Sequence, residues 1–275
     1  MNAATLRDTL RFQGVGLHTG DTASMEVRPA APGTGYIFVL SDGTRIPALA
    51  EFAVETPLAT IIQSRGRSIS TIEHILSALM GMGVSDAEIA LHGPEIPILD
   101  GSAKLYADAI AKSGLAVSEQ QRAEISVKEP FELRDRDKAV VVLPAAEFRV
   151  RFVAHYDAPI GTHYFDGAIT PQTYREEIAP ARTFTFLRDV EAMRAQGLAR
   201  GGSLDNALVY DEEGPMQPLF WGNEVVRHKV LDLIGDFALL GAWPRCEVIA
   251  IKSGHAMHAR VTRALRQQLG VATLA

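Results

Sequence analysis

Strand-forming runs precede helix-forming runs in each of two parts of this sequence, an order that predicts an α+β fold. Three observations carry the prediction. Apolar runs at 25–28, 36–40, 60–63 and 87–91 read as strands, with helices expected over 71–82 and near 102–113. A polar stretch, Ser118-Glu119-Gln120-Gln121-Arg122, reads as a linker. Strands then resume at 124–127, 139–143 and 148–154, followed by helices near 171–178, 188–197, 223–241 and 257–268. The expected division is a first α+β domain over 1–118 and a second over 123–275. At 275 residues and 47% hydrophobic content, the chain can bury two modest cores.

The 71–82 helix is the first that bears on function. Ile72, Ile75, Leu76 and Leu79 form its apolar stripe. His74 points away from that stripe, on a face with Ser77, Ala78 and Gly81. No charged residue occurs from 75 to 85, so both faces of the helix are expected to be covered. A histidine buried there needs a partner. Glu73 has a structural job available, because Ser70 followed by Glu73 fits a capping box.

The 223–241 helix carries the most informative spacing. Four residues turn through about 400°, so His228 and Asp232 lie one turn apart on one face. That spacing suits a histidine nitrogen and a carboxylate oxygen converging on one ion. The ordinary alternative is an amphipathic helix, with Val226, Val230, Leu233 and Phe237 inward and a polar face in water. Two details oppose it. Asp is a poor interior helix residue. Asp232 and Asp236, one turn apart, repel unless a cation lies nearby.

Near the C-terminus, the run 246–251 reads as a strand and Lys252-Ser253-Gly254 as a turn, which puts His255 at a strand end. His258 lies three residues on, and composition does not choose between them. His258 is expected to be the dispensable one.

Bulk properties exclude several classes. A net charge of −6 and a pI near 5.8 argue against general nucleic-acid binding. A phosphorylated ligand would need local cations, and Lys229 is a candidate. The single cysteine, Cys246, excludes an internal disulfide and fits a reducing compartment. The N-terminus shows no signal-peptide apolar core, and no uncharged apolar run approaches the roughly 18 residues of a membrane span. A cytoplasmic monomer is expected. Gly14-Val15-Gly16-Leu17-His18-Thr19-Gly20 misplaces the third glycine of a dinucleotide fingerprint and reads as a turn between strands. Gly201-Gly202 likewise reads as a turn. Neither a phosphate-binding loop motif nor His-Glu-x-x-His is present.

Together these segments resemble the UDP-3-O-acyl-N-acetylglucosamine deacetylases, zinc hydrolases of lipid A synthesis. The resemblance runs nearly end to end. It is carried by 14–20, by Ser70-Thr71-Ile72-Glu73-His74, and by Pro94-Glu95-Ile96-Pro97-Ile98-Leu99-Asp100-Gly101-Ser102-Ala103. In the second part, Ala181-Arg182-Thr183-Phe184, Gly201-Gly202-Ser203, 227–236 and Lys252-Ser253-Gly254-His255 carry it. The chain departs in being shorter between Tyr210 and Asn223 and in lacking a longer C-terminal extension of some members.

The resemblance implies a sandwich of two α+β domains, each a sheet with two helices, with the helix layers facing each other. It implies Zn²⁺, or alternatively Fe²⁺, held by His74, His228 and Asp232. Glu73 would be the general base, His255 the general acid oriented by Asp236, and Thr183 a donor to the oxyanion. Lys229, Phe184 and Leu17 would contact substrate, and Phe186, Leu187, Val190 and Leu198 would line an apolar acyl passage. The implied substrate is UDP-3-O-acyl-N-acetylglucosamine. Two rivals stay open: another metal-dependent amidase on the same fold, and a non-catalytic nucleotide-sugar binder. Activity on a non-acylated sugar favours the first, whereas a binder needs no general base.

Overall fold

The computed structural model describes residues 1–268. The first half contains β1 (Asn2–Leu6), β2 (Leu10–Val15), β3 (Thr22–Pro29), β4 (Tyr36–Leu40), β5 (Arg45–Pro47), β6 (Ala53–Val54), β7 (Ile61–Ser64), β8 (Arg67–Ile69), α1 (Glu73–Gly81), β9 (Ala87–His92) and α2 (Lys104–Ser113). Five of these strands form a sheet in the order β2-β3-β9-β4-β5, and β6-β7-β8 form a small one. Met25 pairs with Leu91 and Phe38 with Ile89, so alternate side chains of three strands meet the helix layer.

The second half contains β10 (Leu115–Gln121), β11 (Glu124–Ser126), β12 (Phe131–Asp135), β13 (Lys138–Pro144), β14 (Arg149–His155), β15 (Thr162–Ala168), α3 (Pro171–Thr173), β16 (Phe184–Phe186), α4 (Leu187–Ala195), β17 (Leu208–Tyr210), α5 (Glu224–Phe237), β18 (Trp243–Ile251) and α6 (His255–Gln268). Its main sheet runs β12-β13-β18-β14-β15, with β11 also on β18. A π-helical turn, Tyr174–Ile178, continues α3, and a 3₁₀ turn, Ala238–Leu240, follows α5.

The helix layers of the two halves face each other. All nine residues of α1 are buried, and α1 packs along α5. The uncharged stretch after Ile75 therefore meets protein on both sides, and one apolar core joins Ile75 and Leu79 to Val230, Ile234 and Phe237. Gly235 permits the approach: a Cβ there would lie 2.1 Å from the Glu73 carbonyl oxygen. Gly in a helix interior costs about 1 kcal/mol relative to Ala, and here close packing is what it makes room for. Gly81 does the same against the Tyr174 ring.

Two local expectations change. Residues 118–121 belong to β10, which pairs antiparallel with β1, so the polar stretch is largely strand rather than linker. The capping box also fails. Thr71 sits at φ +60°, so no helix includes it; α1 starts at Glu73 and has no side-chain cap.

Candidate active site

Burial and a left-handed turn set the first ligand group. With its capping role unused, the Glu73 carboxylate accepts the Thr60 backbone N–H at 3.0 Å and stays at the inner end of α1. Burial pushes Glu73 up to about 8; the His255 charge opposes this, and Asp232 and Asp236 add to it. His74, the next residue, is buried between the helix layers, and burial lowers it to about 3.

The second group comes from α5. The His228 ring stands edge-on to His74, with centroids 5.2 Å apart. His228 Nδ1 lies 3.1 Å from the Ala181 carbonyl, which fixes the proton on Nδ1 and leaves Nε2 as a lone-pair donor. Asp232 Oδ1 is 3.4 Å from His228 Nε2 and 3.9 Å from His74 Nε2. Burial opposes charge on Asp232, but His228 and Lys229 hold it well below the usual carboxylate range.

Ligand atoms of His74, His228 and Asp232 all lie within 4.8 Å of one another, and all three residues are buried. Three donors on a tetrahedral Zn²⁺ with bonds of about 2.0–2.1 Å stand roughly 3.3 Å apart. Two neutral imidazoles and one carboxylate are a donor set that suits a transition-metal ion, and the three would draw together by up to about 1.5 Å around one. Repulsion between Asp232 and Asp236 is also relieved by protein groups. Lys229 Nζ holds the other oxygen of Asp232 at 2.6 Å, and Asp236 is occupied elsewhere.

That other place is α6. Asp236 Oδ2 accepts from His255 Nδ1 at 2.9 Å and from His258 Nδ1 at 2.7 Å, while Oδ1 accepts the Thr60 hydroxyl. Asp236 is thus held by three side chains and is not among the three clustered ligands. His255 opens α6 rather than lying in a loop, and its Nε2 faces Asp232 at 3.7 Å and Glu73 at 4.0 Å. Burial disfavours its charge, but Asp236 and Asp232 outweigh burial and raise it to about 9. His258 is fully buried, with Nε2 accepting from Ser253 Oγ at 2.8 Å. It is a second support for Asp236, a role that the expectation of a dispensable residue did not include. Neither its contact with Asp236 nor that of Thr60 was evident from sequence; each is placed by contacts between distant segments.

A cavity of about 620 Å³ opens from this cluster. Glu73, His74, His228, Asp232, Lys229 and His255 form its polar end. Thr183, Phe184 and Leu17 line it, and Phe184 stacks edge-on against both Tyr156 and His228. Its apolar wall includes Phe186, Leu187, Val190 and Met193. Leu198 is not in that wall: its backbone N–H closes onto the Met193 carbonyl at 2.9 Å just past α4, and Met193 takes the expected place.

The chain matches the LpxC family model, described as UDP-3-O-acyl N-acetylglycosamine deacetylase, over residues 3–267. A protein of Syntrophotalea carbinolica named UDP-3-O-acyl-N-acetylglucosamine deacetylase is 44% identical over 258 residues, covering 92% of this chain and 84% of the relative. Proteins of the same name from Myxococcus xanthus and Nostoc sp. are 41% and 39% identical, covering 95% and 96% of this chain and 85% and 98% of their own lengths.

Proposed function

The chain belongs to the UDP-3-O-acyl-N-acetylglucosamine deacetylase family, and on that premise we propose that it hydrolyses the N-acetyl group of UDP-3-O-acyl-N-acetylglucosamine, releasing acetate, as a step of lipid A synthesis. The observation that carries the reading at this site is the convergence of a buried carboxylate and a buried imidazole, Glu73 and His255, on one three-ligand cluster.

In this reading His74, His228 and Asp232 hold Zn²⁺ or Fe²⁺. When bound, the ion supplies Lewis acidity, a bound water of lowered pKa and the positive charge that keeps Glu73 ionised. Glu73 takes a proton as general base, held in aim by the Thr60 N–H. His255 is cationic at neutral pH and gives its Nε2 proton to the leaving amine. Asp236 holds Nδ1, so ring orientation and charge come from one contact. The Thr183 hydroxyl donates to the oxyanion as charge develops. Lys229 and Phe184 contact the sugar or diphosphate, Leu17 contacts the substrate from the facing wall, and the acyl chain runs along Phe186, Leu187, Val190 and Met193.

In this reading each buried methylene of the acyl chain contributes about 0.8 kcal/mol, which reaches the reacting centre only if the chain helps position it. The same reading divides the chain near 118–123 and makes it a cytoplasmic monomer. The buried free thiol of Cys246 is compatible with a reducing compartment. Among the described residues no helix is long and apolar enough to cross a membrane.

The test is direct. Metal-loaded protein should release acetate from the acylated UDP-sugar, stop on chelation and resume with Zn²⁺ or Fe²⁺. No acetate release would overturn the reading. Equal kcat/KM for acylated and non-acylated UDP-sugars would favour the general amidase.

A further inference from the structure

Glu95 is a fully buried carboxylate that does not line the cavity. Among the described residues it has no ion-pair partner, and its charge is met entirely by hydrogen bonds. The backbone N–H of His18 donates to both oxygens, at 3.0 and 3.2 Å. Thr19 donates twice to Oε2, from its N–H and its hydroxyl, both at 2.8 Å. The Thr71 hydroxyl donates to Oε1 at 2.7 Å. A buried carboxylate needs such saturation, and losing donors leaves an uncompensated charge.

The donors belong to two different structures. Thr71 is the left-handed residue two positions before Glu73; φ +60° is a rare conformation for a β-branched side chain. His18 and Thr19 belong to the turn between β2 and β3. That turn packs backbone to backbone on the second half: Arg200 N–H donates to the His18 carbonyl and Gly201 N–H to the Leu17 carbonyl, both at 3.1 Å. Both glycines of this sandwich are required by space. A Cβ on Gly16 would lie 2.3 Å from Glu95 Oε2, and one on Gly201 would lie 2.2 Å from the Gly16 carbonyl oxygen. Leu17, His18, Thr71, Ala199 and Gly202 face the cavity from this layer. Glu95 stands behind it, joining the cavity wall to the end of α1 that presents Glu73 and His74.

We propose that Glu95 is a positioning residue that couples the wall at 16–19 and 199–202 to Glu73 and His74, so that an acyl chain in the cavity and the metal end of α1 favour each other's placement. The proposal rests on the deacetylase reading. Coupling of this kind is reciprocal. A chain in the cavity should tighten metal binding, and the metal should tighten binding of the chain.

The test uses full-length wild-type protein, Glu95→Gln and Thr71→Ala. The first substitution keeps side-chain volume; the second removes one donor from the far side and guards against a Glu95→Gln protein that fails to fold. Two quantities are read: the ratio of kcat/KM for long-chain over short-chain UDP-3-O-acyl substrates, and the Zn²⁺ affinity by chelator competition, with and without the long-chain deacetylated product. Wild-type protein should show tighter Zn²⁺ binding with the product present. In the variants the long-chain preference should fall about tenfold, the scale of coupling between connected sites, and the product-induced tightening should shrink with it. A merely structural role lowers the active fraction and so reduces both substrates alike. An unchanged ratio with unchanged tightening, or no tightening in wild-type protein, would overturn the coupling. If wild-type protein releases no acetate at all, it is the deacetylase reading that fails.

Discussion

Two helices border the same cavity and are built in opposite ways. In α1 every residue is buried; in α4 none is. The chemistry sits at the end of α1, between α5 and α6, where Gly235 brings backbones into contact. Leu187, Val190, Met193 and Arg194 of α4 line the apolar side and otherwise face outward. Ligand geometry tolerates a few tenths of an ångström, so it needs an element fixed from all sides. An alkyl chain has no directional demands, so its wall can be a lightly buried helix. Stability and precision are concentrated where bonds change, and adaptability where length varies.

The rigid side should break hardest. His228→Ala removes one of the three clustered donors. The protein should lose most of its metal and, with it, activity by roughly 10³-fold or more, the several kcal/mol of charge stabilisation a metal contributes. Metal analysis with an acetate-release assay checks it, and full occupancy in the variant would remove His228 from the ligand set. Glu73→Gln comes next. It keeps shape and should keep metal while lowering kcat by about 10²–10⁴-fold, the scale of a general base. Unchanged turnover would mean that Glu73 only anchors the Thr60 N–H.

Gly235→Ala tests the packing itself. The added methyl meets the Glu73 backbone, not a movable side chain. Overpacking should cost about 1–3 kcal/mol in denaturant unfolding, with activity falling because Glu73 and His74 move. His258→Ala should be somewhat milder. It removes one of the donors to Asp236 and strands the Ser253 hydroxyl, for about 1–2 kcal/mol of stability. Its metal content should be normal and its kcat reduced, since His255 loses part of what steadies its partner. A wild-type melting curve for this variant would show the buried network to be unimportant.

The buried helix was also the more legible of the two. The absence of charge from 75 to 85 required cover on both faces, and α5 supplies it. His228 and Asp232 could be paired from helical spacing alone, because i,i+4 fixes their separation whatever else folds. Features set by distant segments were not legible. The Ser70/Glu73 offset fits a capping box, but the left-handed Thr71, tied down by Glu95, moves the helix start. His258 is enclosed by Phe152 of β14 and Phe237 of α5, which no local pattern announces. Among the described residues β10 pairs only with β1 and leaves most of its side chains in water, so it lacks the alternation that marks a half-buried strand. Leu198 is apolar and adjacent to the wall, yet it follows the turn that ends α4. Helix phase decides which residue faces the cavity, and that phase selects Val190 and Met193.

The lightly buried wall should give the smallest effect and the sharpest contrast. Val190→Asp places a carboxylate against the apolar side of the cavity while disturbing no buried contact in α4. Stability should stay within about 0.5 kcal/mol of the wild type, as expected for a surface site. Metal content and kcat/KM on short-chain substrates should be nearly unchanged. Long-chain substrates should lose about tenfold in kcat/KM, because roughly two methylenes' worth of burial at about 0.8 kcal/mol each would be forfeited beside the charge. Leu198→Asp, one turn beyond the helix, should spare both chain lengths. If Leu198→Asp instead carries the long-chain defect and Val190→Asp does not, the chain runs past the end of α4 rather than along it. A short-chain defect equal to the long-chain one in Val190→Asp would mean that α4 is as tightly coupled to the chemistry as α1, and the contrast between the two helices would not hold.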